Sequence, residues 1–321
     1  MRRALTLVIW AAAVQIVFGG QEPAPVMQHV LPIHEQLQRA PLPAEAKENA
    51  QRALAAKDYV TVEQILVHAI ETSANAPDLL TLAARVFLLD KNPANAAIAL
   101  KKAEKLRPLS EADRFQLVMA YIGLKRGEWA RPELERLVEA APKNPLYPYW
   151  LARVDYDERR YDSAISRLRA VTSANPKFMR AWDNLGLSLE IAGQLDEAVE
   201  SYQQAVKLNR EQKPSSPWPP VNLGSLLTKM DRLKEAETAL REAVRYGEDL
   251  AEAHYRLGVN LHRQGDDRAA IPELRRAIQL DPNSTEPLFA IGEIYRSQGD
   301  TTSADEAFEK FKTLKKEKRG S

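Results

Sequence analysis

The amino-acid sequence predicts an all-α protein made of about eight stacked helix-turn-helix units. Alanines recur every 34 residues along most of the chain, with a single interval of 38. A series of mostly small residues precedes the alanines by twelve positions, and prolines follow four of them by twelve. Composition bias does not give three series one common period, so the sequence predicts a structural repeat.

The three series share one frame. The alanines are Ala96, Ala130, Ala164, Ala198, Ala236, Ala270 and Ala304. The earlier positions are Ala50, Ala84, Val118, Ala152, Gly186, Gly224, Gly258 and Gly292. The prolines are Pro108, Pro142, Pro176 and Pro282. Small residues on two helices let their axes approach closely, and a proline after the second helix ends it.

Each unit is predicted to contain two helices of about 14 residues, from their i, i+3, i+4 apolar spacing. In one unit, Ala181–Leu189 forms the first helix, Gly193–Asp196 the turn, and Ala198, Tyr202 and Ala205 lie on the second helix. One such hairpin cannot bury its apolar face alone, so the units must stack.

This pattern resembles the tetratricopeptide repeat. Its signature positions are matched by Trp182, Leu185, Gly186, Leu189, Ala198, Tyr202 and Ala205, by Leu257, Gly258, Ala270, Ala277 and Pro282, and by Ile291, Gly292, Tyr295, Ala304 and Phe308. The resemblance implies a right-handed superhelical solenoid in which the first helices line a concave groove that binds partners. The units are 43–76, 77–110, 111–144, 145–178, 179–212, 217–250, 251–284 and 285–318. The first unit departs from the pattern at Val62 and is interpreted as a degenerate cap.

Residues 1–20 have the layout of a secretory signal peptide. Arg2 and Arg3 precede an apolar run, Ala4–Phe18, and small residues allow cleavage after Gly19. As a helix the run would measure only about 22 Å, short of a bilayer core. We expect export by the Sec route to the periplasm or the medium; an uncleaved membrane anchor is the alternative. The chain has no cysteine, which suits an oxidising compartment.

The segments that flank the repeats are predicted to contain little regular structure. Residues 21–42 form a proline-containing linker with a short helical piece around Glu35–Arg39, and residues 319–321 are a tail. The basic stretch Lys315–Arg319 reads as the solvated end of a capping helix. Formal net charge is +1, and 43 − 44 = −1 without residues 1–20, so nucleic-acid binding is not expected.

No residue pattern predicts an enzyme. The sequence contains no phosphate-binding or zinc-protease motif, and no Cys-ligated metal is possible. His254 and His262 lie about 12 Å apart along one predicted helix, too far to share a metal ion. Catalytic, metal and cofactor-binding residues are therefore predicted to be none, and we expect no small-molecule substrate.

A partner-binding surface can be chosen by helical geometry. The second, fifth, ninth and twelfth residues of each first helix share one face, and the sixth is adjacent. These positions predict a groove site for a protein or peptide. The candidates are Phe115, Tyr149, Arg153, Tyr156, Asp183, Asn184, Trp218, Asn222, Ser225, Tyr255, Arg256, Val259 and His262. Tyrosine and arginine commonly anchor interfaces, but the tyrosines can instead pack only between neighbouring units.

Two further observations refine the groove. The lysine and asparagine of a two-carboxylate clamp are absent from the fifth and ninth positions, so an acidic chaperone tail is not the expected ligand. Four residues, Lys213–Ser216, interrupt the period before Pro217–Pro220. They are either a loop insertion or a rigid lip that presents Trp218 at the groove edge.

The sequence therefore predicts an exported, non-enzymatic scaffold that binds a protein or peptide in a concave groove. The alternative function is an accessory subunit of a cell-envelope assembly, export or enzyme complex, anchored or docked at a membrane through the N-terminal segment.

Overall fold

The structure is a computed structural model that describes residues 31–73 and 76–320. Every regular element in these ranges is an α-helix, which confirms the predicted fold class. The predicted signal peptide, residues 1–20, and residues 21–30 lie outside the described residues. The chain divides into two compact units, Met1–Arg167 and Leu168–Ser321, and each is described by itself.

Helix α1 precedes the repeats, and the other helices follow in pairs. The bounds are α1 Ile33–Arg39, α2 Ala44–Ala55, α3 Tyr59–Thr72, α4 Pro77–Leu89, α5 Pro93–Leu106, α6 Glu111–Gly123, α7 Gly127–Ala140, α8 Leu146–Asp157, α9 Tyr161–Ala174, α10 Met179–Ile191, α11 Leu195–Arg210, α12 Trp218–Lys229, α13 Leu233–Tyr246, α14 Ala251–Arg263, α15 Asp267–Leu280, α16 Glu286–Ser297 and α17 Thr301–Gly320. Helices α5, α7, α9 and α15 end two residues before the four periodic prolines.

From α1 to α8, and again from α10 to α17, each helix packs on the next along the chain. The periodic alanines are fully buried, except Ala304 at 2% exposed. At the paired small positions the helices touch: a Cβ added to Gly186 would lie 2.6 Å from the ring of Tyr202, and one added to Gly224 would lie 2.5 Å from Leu240. Real Cβ atoms do not approach that closely, so these positions require glycine or a shift of the partner helix.

The turn inside each pair repeats the same backbone conformation eight times. One residue per turn has positive φ, from +56° to +81°: Lys57, Lys91, Lys125, Arg159, Gly193, Asp231, Gly265 and Gly299. Around each of them, two backbone hydrogen bonds close the preceding helix in the Schellman pattern, as Gly193 N to Glu190 O and Gln194 N to Leu189 O do. Gly127 lies two residues after Lys125, the positive-φ residue of its turn, and begins α7.

The segment before the repeats is not a free linker over its described part. Helix α1 packs against α2 and α4, the first helices of the first two pairs. Leu37 is fully buried, and Ala40 and Leu42 are nearly so. Apolar contacts therefore hold residues 31–42 on the first-helix side of the first unit.

Candidate partner-binding surface

In the second unit the first helices stand side by side. Helix α10 contacts α12, α12 contacts α14, and α14 contacts α16. We call these four helices the first-helix row. Several hydrogen bonds cross it: Asn222 Nδ2 donates to Asp183 Oδ1 at 3.0 Å and Oδ2 at 3.2 Å, and Lys229 Nζ donates to Glu190 Oε1 at 2.5 Å. Between α14 and α12, Asn260 Nδ2 donates to Thr228 Oγ1 at 3.0 Å and Arg263 Nη1 donates to the Thr228 carbonyl.

These bonds give the two candidate asparagines an internal role. The Asn222 side-chain amide donates to the carboxylate of Asp183 on the neighbouring helix. Asn184 Nδ2 donates to the Arg180 carbonyl on its own helix, at 2.8 Å. Asn222 thus joins two repeats, a contact that position within one helix could not predict. Ser225, one turn further along α12, is half-buried.

The middle of the row carries half-buried aromatic and aliphatic side chains on α14. The Arg256 guanidinium lies 5.3 Å from the centroid of the Tyr255 ring, and its Nε donates to Glu252 at 2.6 Å. Burial raises the pKa of the Tyr255 phenol, which stays neutral at physiological pH. Val259 is half-buried on the same helix.

Charged groups of the row are engaged with one another. Arg296 donates to Glu293 at 2.6 Å within the row, and His262 Nδ1 lies 2.5 Å from Oδ1 of Asp267, which lies on α15 outside the row. Together with the Arg256–Glu252 and Lys229–Glu190 pairs, these contacts leave the row close to electrically balanced. A balanced, partly apolar surface offers less attraction to a highly charged ligand than a clamp of like charges does.

Trp218 begins α12 and is 49% exposed. The four-residue insertion before it is anchored by Asn209, which is fully buried at the end of α11. Asn209 Nδ2 donates to Ser216 O at 2.7 Å, and Ser216 N donates to Asn209 Oδ1 at 2.8 Å. Trp218 N donates to the Ser216 hydroxyl at 3.3 Å, and Pro219 is buried. Ser216, the last residue of the insertion, is therefore hydrogen-bonded through both its carbonyl and its amide. The side chain of Trp218, two residues further on, is half exposed to solvent.

In the first unit two candidates prove unsuitable. Phe115 is 1% exposed and Tyr149 is 2% exposed, because their rings pack into the core, Phe115 at 5.5 Å from Tyr147 and Tyr149 at 5.6 Å from Trp150. Neither side chain can be offered to a partner, and the prediction of a groove role for them is wrong. Both rings contribute to the core instead.

Their neighbours on α8 remain at the surface in part. The Arg153 guanidinium lies 5.7 Å from the Trp150 ring, and Tyr156 meets Tyr161 edge-on at 5.6 Å. Both Arg153 and Tyr156 are half-buried.

Sequence reasoning missed Arg85 on α4. This arginine occupies the ninth position of its repeat, as Arg153 does, and it is buried. Its Nη1 donates to the Leu31 carbonyl at 2.8 Å. Because Arg85 and Arg153 share the ninth position, the sequence could have marked Arg85 as a groove residue. It could not have predicted that residues 31–42 cover Arg85, because that segment has no periodic pattern.

His254 has structural partners on both ring nitrogens. His254 Nδ1 lies 2.6 Å from Glu273 Oε2, and Nε2 lies 3.0 Å from the Glu248 carbonyl. Within residues 31–73 and 76–320, no group of three or more His, Asp or Glu side chains is placed to hold a metal ion. Over the same ranges, no helix is both long and apolar enough to cross a bilayer.

Comparison with known proteins identifies the repeat. Two family models described as tetratricopeptide repeat match the chain, one over residues 149–217 and 221–285 and the other over residues 285–318. The chain belongs to the tetratricopeptide repeat family. Neither matching model describes an enzyme.

Among curated proteins, the chain is 24% identical over 204 residues to the CTR9 homolog of Arabidopsis thaliana, which covers 61% of this chain. It is 27% identical over 267 residues to tetratricopeptide repeat protein 37 of Xenopus laevis, which covers 76% of this chain. The matched parts span only 18% and 17% of those relatives.

Solved structures share the fold. Pseudomonas aeruginosa pilF is 20% identical with a TM-score of 0.56, over 70% of this chain and 97% of that one. A chain of the APC/C Cut9–Hcn1 hetero-tetramer is 12% identical with a TM-score of 0.58, over 86% of this chain and 51% of that one. At these identities the similarity concerns the fold alone.

Proposed function

We propose that this chain is an exported, non-enzymatic scaffold whose first-helix row in the second unit binds a protein or peptide partner. Tetratricopeptide repeats mediate contacts between proteins, and the side-by-side first helices provide a broad, rigid surface of the kind such contacts need. The proposal depends most on Trp218. A tryptophan that is half exposed, and that follows a loop whose Ser216 is bonded to a fully buried asparagine, has the character of an interface anchor.

The chemistry of the row favours a partner segment of low net charge. Lys229, Arg256 and Arg296 are paired with glutamates of the row, so a charged ligand would have to displace those pairs. Apolar and aromatic side chains of the partner can instead pack on Trp218, Tyr255 and Val259 at little electrostatic cost. We propose that such a segment, and not an acidic tail, is the ligand.

The test compares Trp218→Ala with Trp129→Ala. Trp129 is a matched control because it is 48% exposed and lies on α7, a second helix of the first unit. We expect partners crosslinked to the native chain, and identified by mass spectrometry, to fall at least tenfold with Trp218→Ala, since aromatic anchors carry about 2 kcal/mol or more of binding. Trp129→Ala should retain them. Equal recovery from both variants would count against the proposed surface.

Tyr149→Ala is unsuitable as a test of partner binding. The ring is buried, so its removal would leave a cavity and lower stability by about 3 kcal/mol or more. Arg153→Ala removes a half-buried side chain without opening the core and is the better variant on α8.

We propose export on the basis of residues 1–20 and the absence of cysteine from the whole chain. The signal-peptide pattern favours a processed protein in the periplasm or the medium. An uncleaved segment would instead anchor the scaffold at a membrane, as an accessory subunit of an envelope complex. The state of the N-terminus distinguishes the two.

A further inference from the structure

The chain already carries one bound segment on its own first-helix side. Residues 31–42 contain α1, which packs on α2 and α4. Leu37 is among the largest fully buried side chains in the described residues, and Ala40 and Leu42 are buried beside it. The segment therefore uses one large apolar anchor and two smaller ones.

Prolines limit this segment at both ends. Pro32 is the N-cap of α1, and Ala40, which precedes Pro41, is extended with φ −60° and ψ 146°. The helix between them has seven residues. A helix that short is not stable alone in water, so α1 is ordered by the surface on which it packs. Such an element opens at lower cost than the repeats beneath it.

Arg85 supplies the polar half of the contact. It lies at a groove-facing position of α4, is buried, and donates to the main-chain carbonyl of Leu31. Burial lowers the pKa of Arg85 to about 10, so the guanidinium stays charged at neutral pH. A main-chain carbonyl is an acceptor that every peptide carries, whereas a buried leucine is selective. In peptide sites, hydrogen bonds to the main chain provide affinity for any sequence, and a pocket for one side chain provides specificity.

We propose that the surface of α2 and α4 around Arg85 is a peptide-binding site that residues 31–42 occupy in the free protein, and that a partner segment with the same proline-flanked, leucine-anchored chemistry exchanges with them. The site belongs to the first unit. It goes beyond the proposed function, which concerns the first-helix row of the second unit, and either can fail without the other.

The experiment uses the full chain and a fluorescein-labelled synthetic peptide of residues 31–42. Leu37→Asp replaces the buried apolar anchor with a charged side chain, so residues 31–42 should leave the site. Gln38→Asp is the matched control, because Gln38 is exposed on the same helix and receives the same charge. Fluorescence anisotropy should show the peptide binding Leu37→Asp at least tenfold more tightly than wild type or Gln38→Asp. The further change Arg85→Ala should remove that gain.

The contrary results are equally defined. Leu37→Asp that keeps wild-type helicity but binds the peptide no better than Gln38→Asp would show that α1 is a permanent part of the core, which overturns the proposal. If Leu37→Asp does not fold, Leu37→Ala replaces it under the same criterion. A wild-type dimer that grows with concentration and is lost in Leu37→Asp would assign the surface to a second copy, and so overturn exchange with a separate partner.

Discussion

At five of the eight turns inside the helix pairs, a lysine, arginine or aspartate adopts the left-handed conformation that glycine adopts at the other three. A Cβ in this region meets the following carbonyl, which costs about 1–2 kcal/mol per residue. The two Schellman hydrogen bonds at each turn offset that cost by closing the last turn of the first helix. The same backbone geometry is thus imposed on residues that do not prefer it, because the stacking of both helices requires the tight turn.

We therefore expect Lys125→Gly to stabilise the protein. Lys125 has φ +56°, so glycine relieves the strain, while its greater freedom in the unfolded chain offsets part of the gain. The free energy of unfolding should rise by about 0.5–1 kcal/mol. Urea denaturation followed by circular dichroism measures it.

Lys102→Gly is the control for this prediction. Lys102 is exposed inside α5, where glycine should cost about 1 kcal/mol. If Lys125→Gly destabilises the protein as Lys102→Gly does, the turn does not store the proposed strain.

Between helices, apolar contact dominates, and ion pairs such as Arg210–Glu242, in which only the carboxylate is buried, add to it. Arg210 at the end of α11 donates from Nε and Nη2 to the two oxygens of Glu242 on α13, at 2.8 and 2.7 Å. Glu242 is 4% exposed and also accepts from the Tyr246 hydroxyl at 2.8 Å. The Arg210 hydrogen bonds hold the pKa of Glu242 below its ordinary value of 4.5, and the Tyr246 hydroxyl lowers it further.

This pair predicts a pH dependence of stability in the second unit. A carboxylate whose folded-state pKa is lowered stabilises the fold above about pH 4.5 and loses that contribution as pH falls through the folded pKa. Glu242→Gln should lower the free energy of unfolding at pH 7 by about 1 kcal/mol, since Arg210 is largely exposed and solvent screens the pair. Near pH 3 the difference from wild type should be much smaller.

Glu200→Gln on the exposed face of α11 serves as the control, with stability close to wild type at both pH values. Urea denaturation at pH 7 and pH 3 measures the free energy of unfolding of wild type and of both variants. A deficit of Glu242→Gln that is the same at both pH values would mean that its charge does not carry the contribution.

For the whole molecule, 45 basic and 44 acidic residues give a nearly neutral surface, and the two compact units each form a run of stacked helix pairs. In a repeat array each pair contacts mainly its neighbours, so stability is close to a sum of local contributions. Substitutions in one unit should therefore change that unit first. The array provides surface for binding, and we propose that the N-terminal residues direct export.

We expect the protein purified from its native source to begin at Gly20. Intact-mass determination measures this directly, since cleavage after Gly19 removes 19 residues from the chain. Fractionation should place the processed form outside the membrane fraction. A chain that retains Met1 and sediments with membranes would favour the anchored accessory subunit. Gly19→Arg, which places a bulky charge at the cleavage position, should delay processing and is the matched variant.

The sequence by itself determined the period, the helix pairs and the close approach of the pairs at positions such as Gly186 and Gly224. These features are local and recur every 34 residues, so each repeat supplies independent support for the same pattern. The irregularity in the period also drew attention to Trp218, as one of two interpretations of the insertion, and the structure leaves Trp218 49% exposed.

Only the tertiary structure decided which groove positions are accessible. Phe115 and Tyr149 share a helical face with half-exposed residues but are buried, and Asn222 bonds to Asp183 on another helix. It also placed residues 31–42 over Arg85. The physical reason is that burial and hydrogen bonding depend on neighbours from other repeats and from a segment without periodicity, which helical spacing within one repeat does not contain.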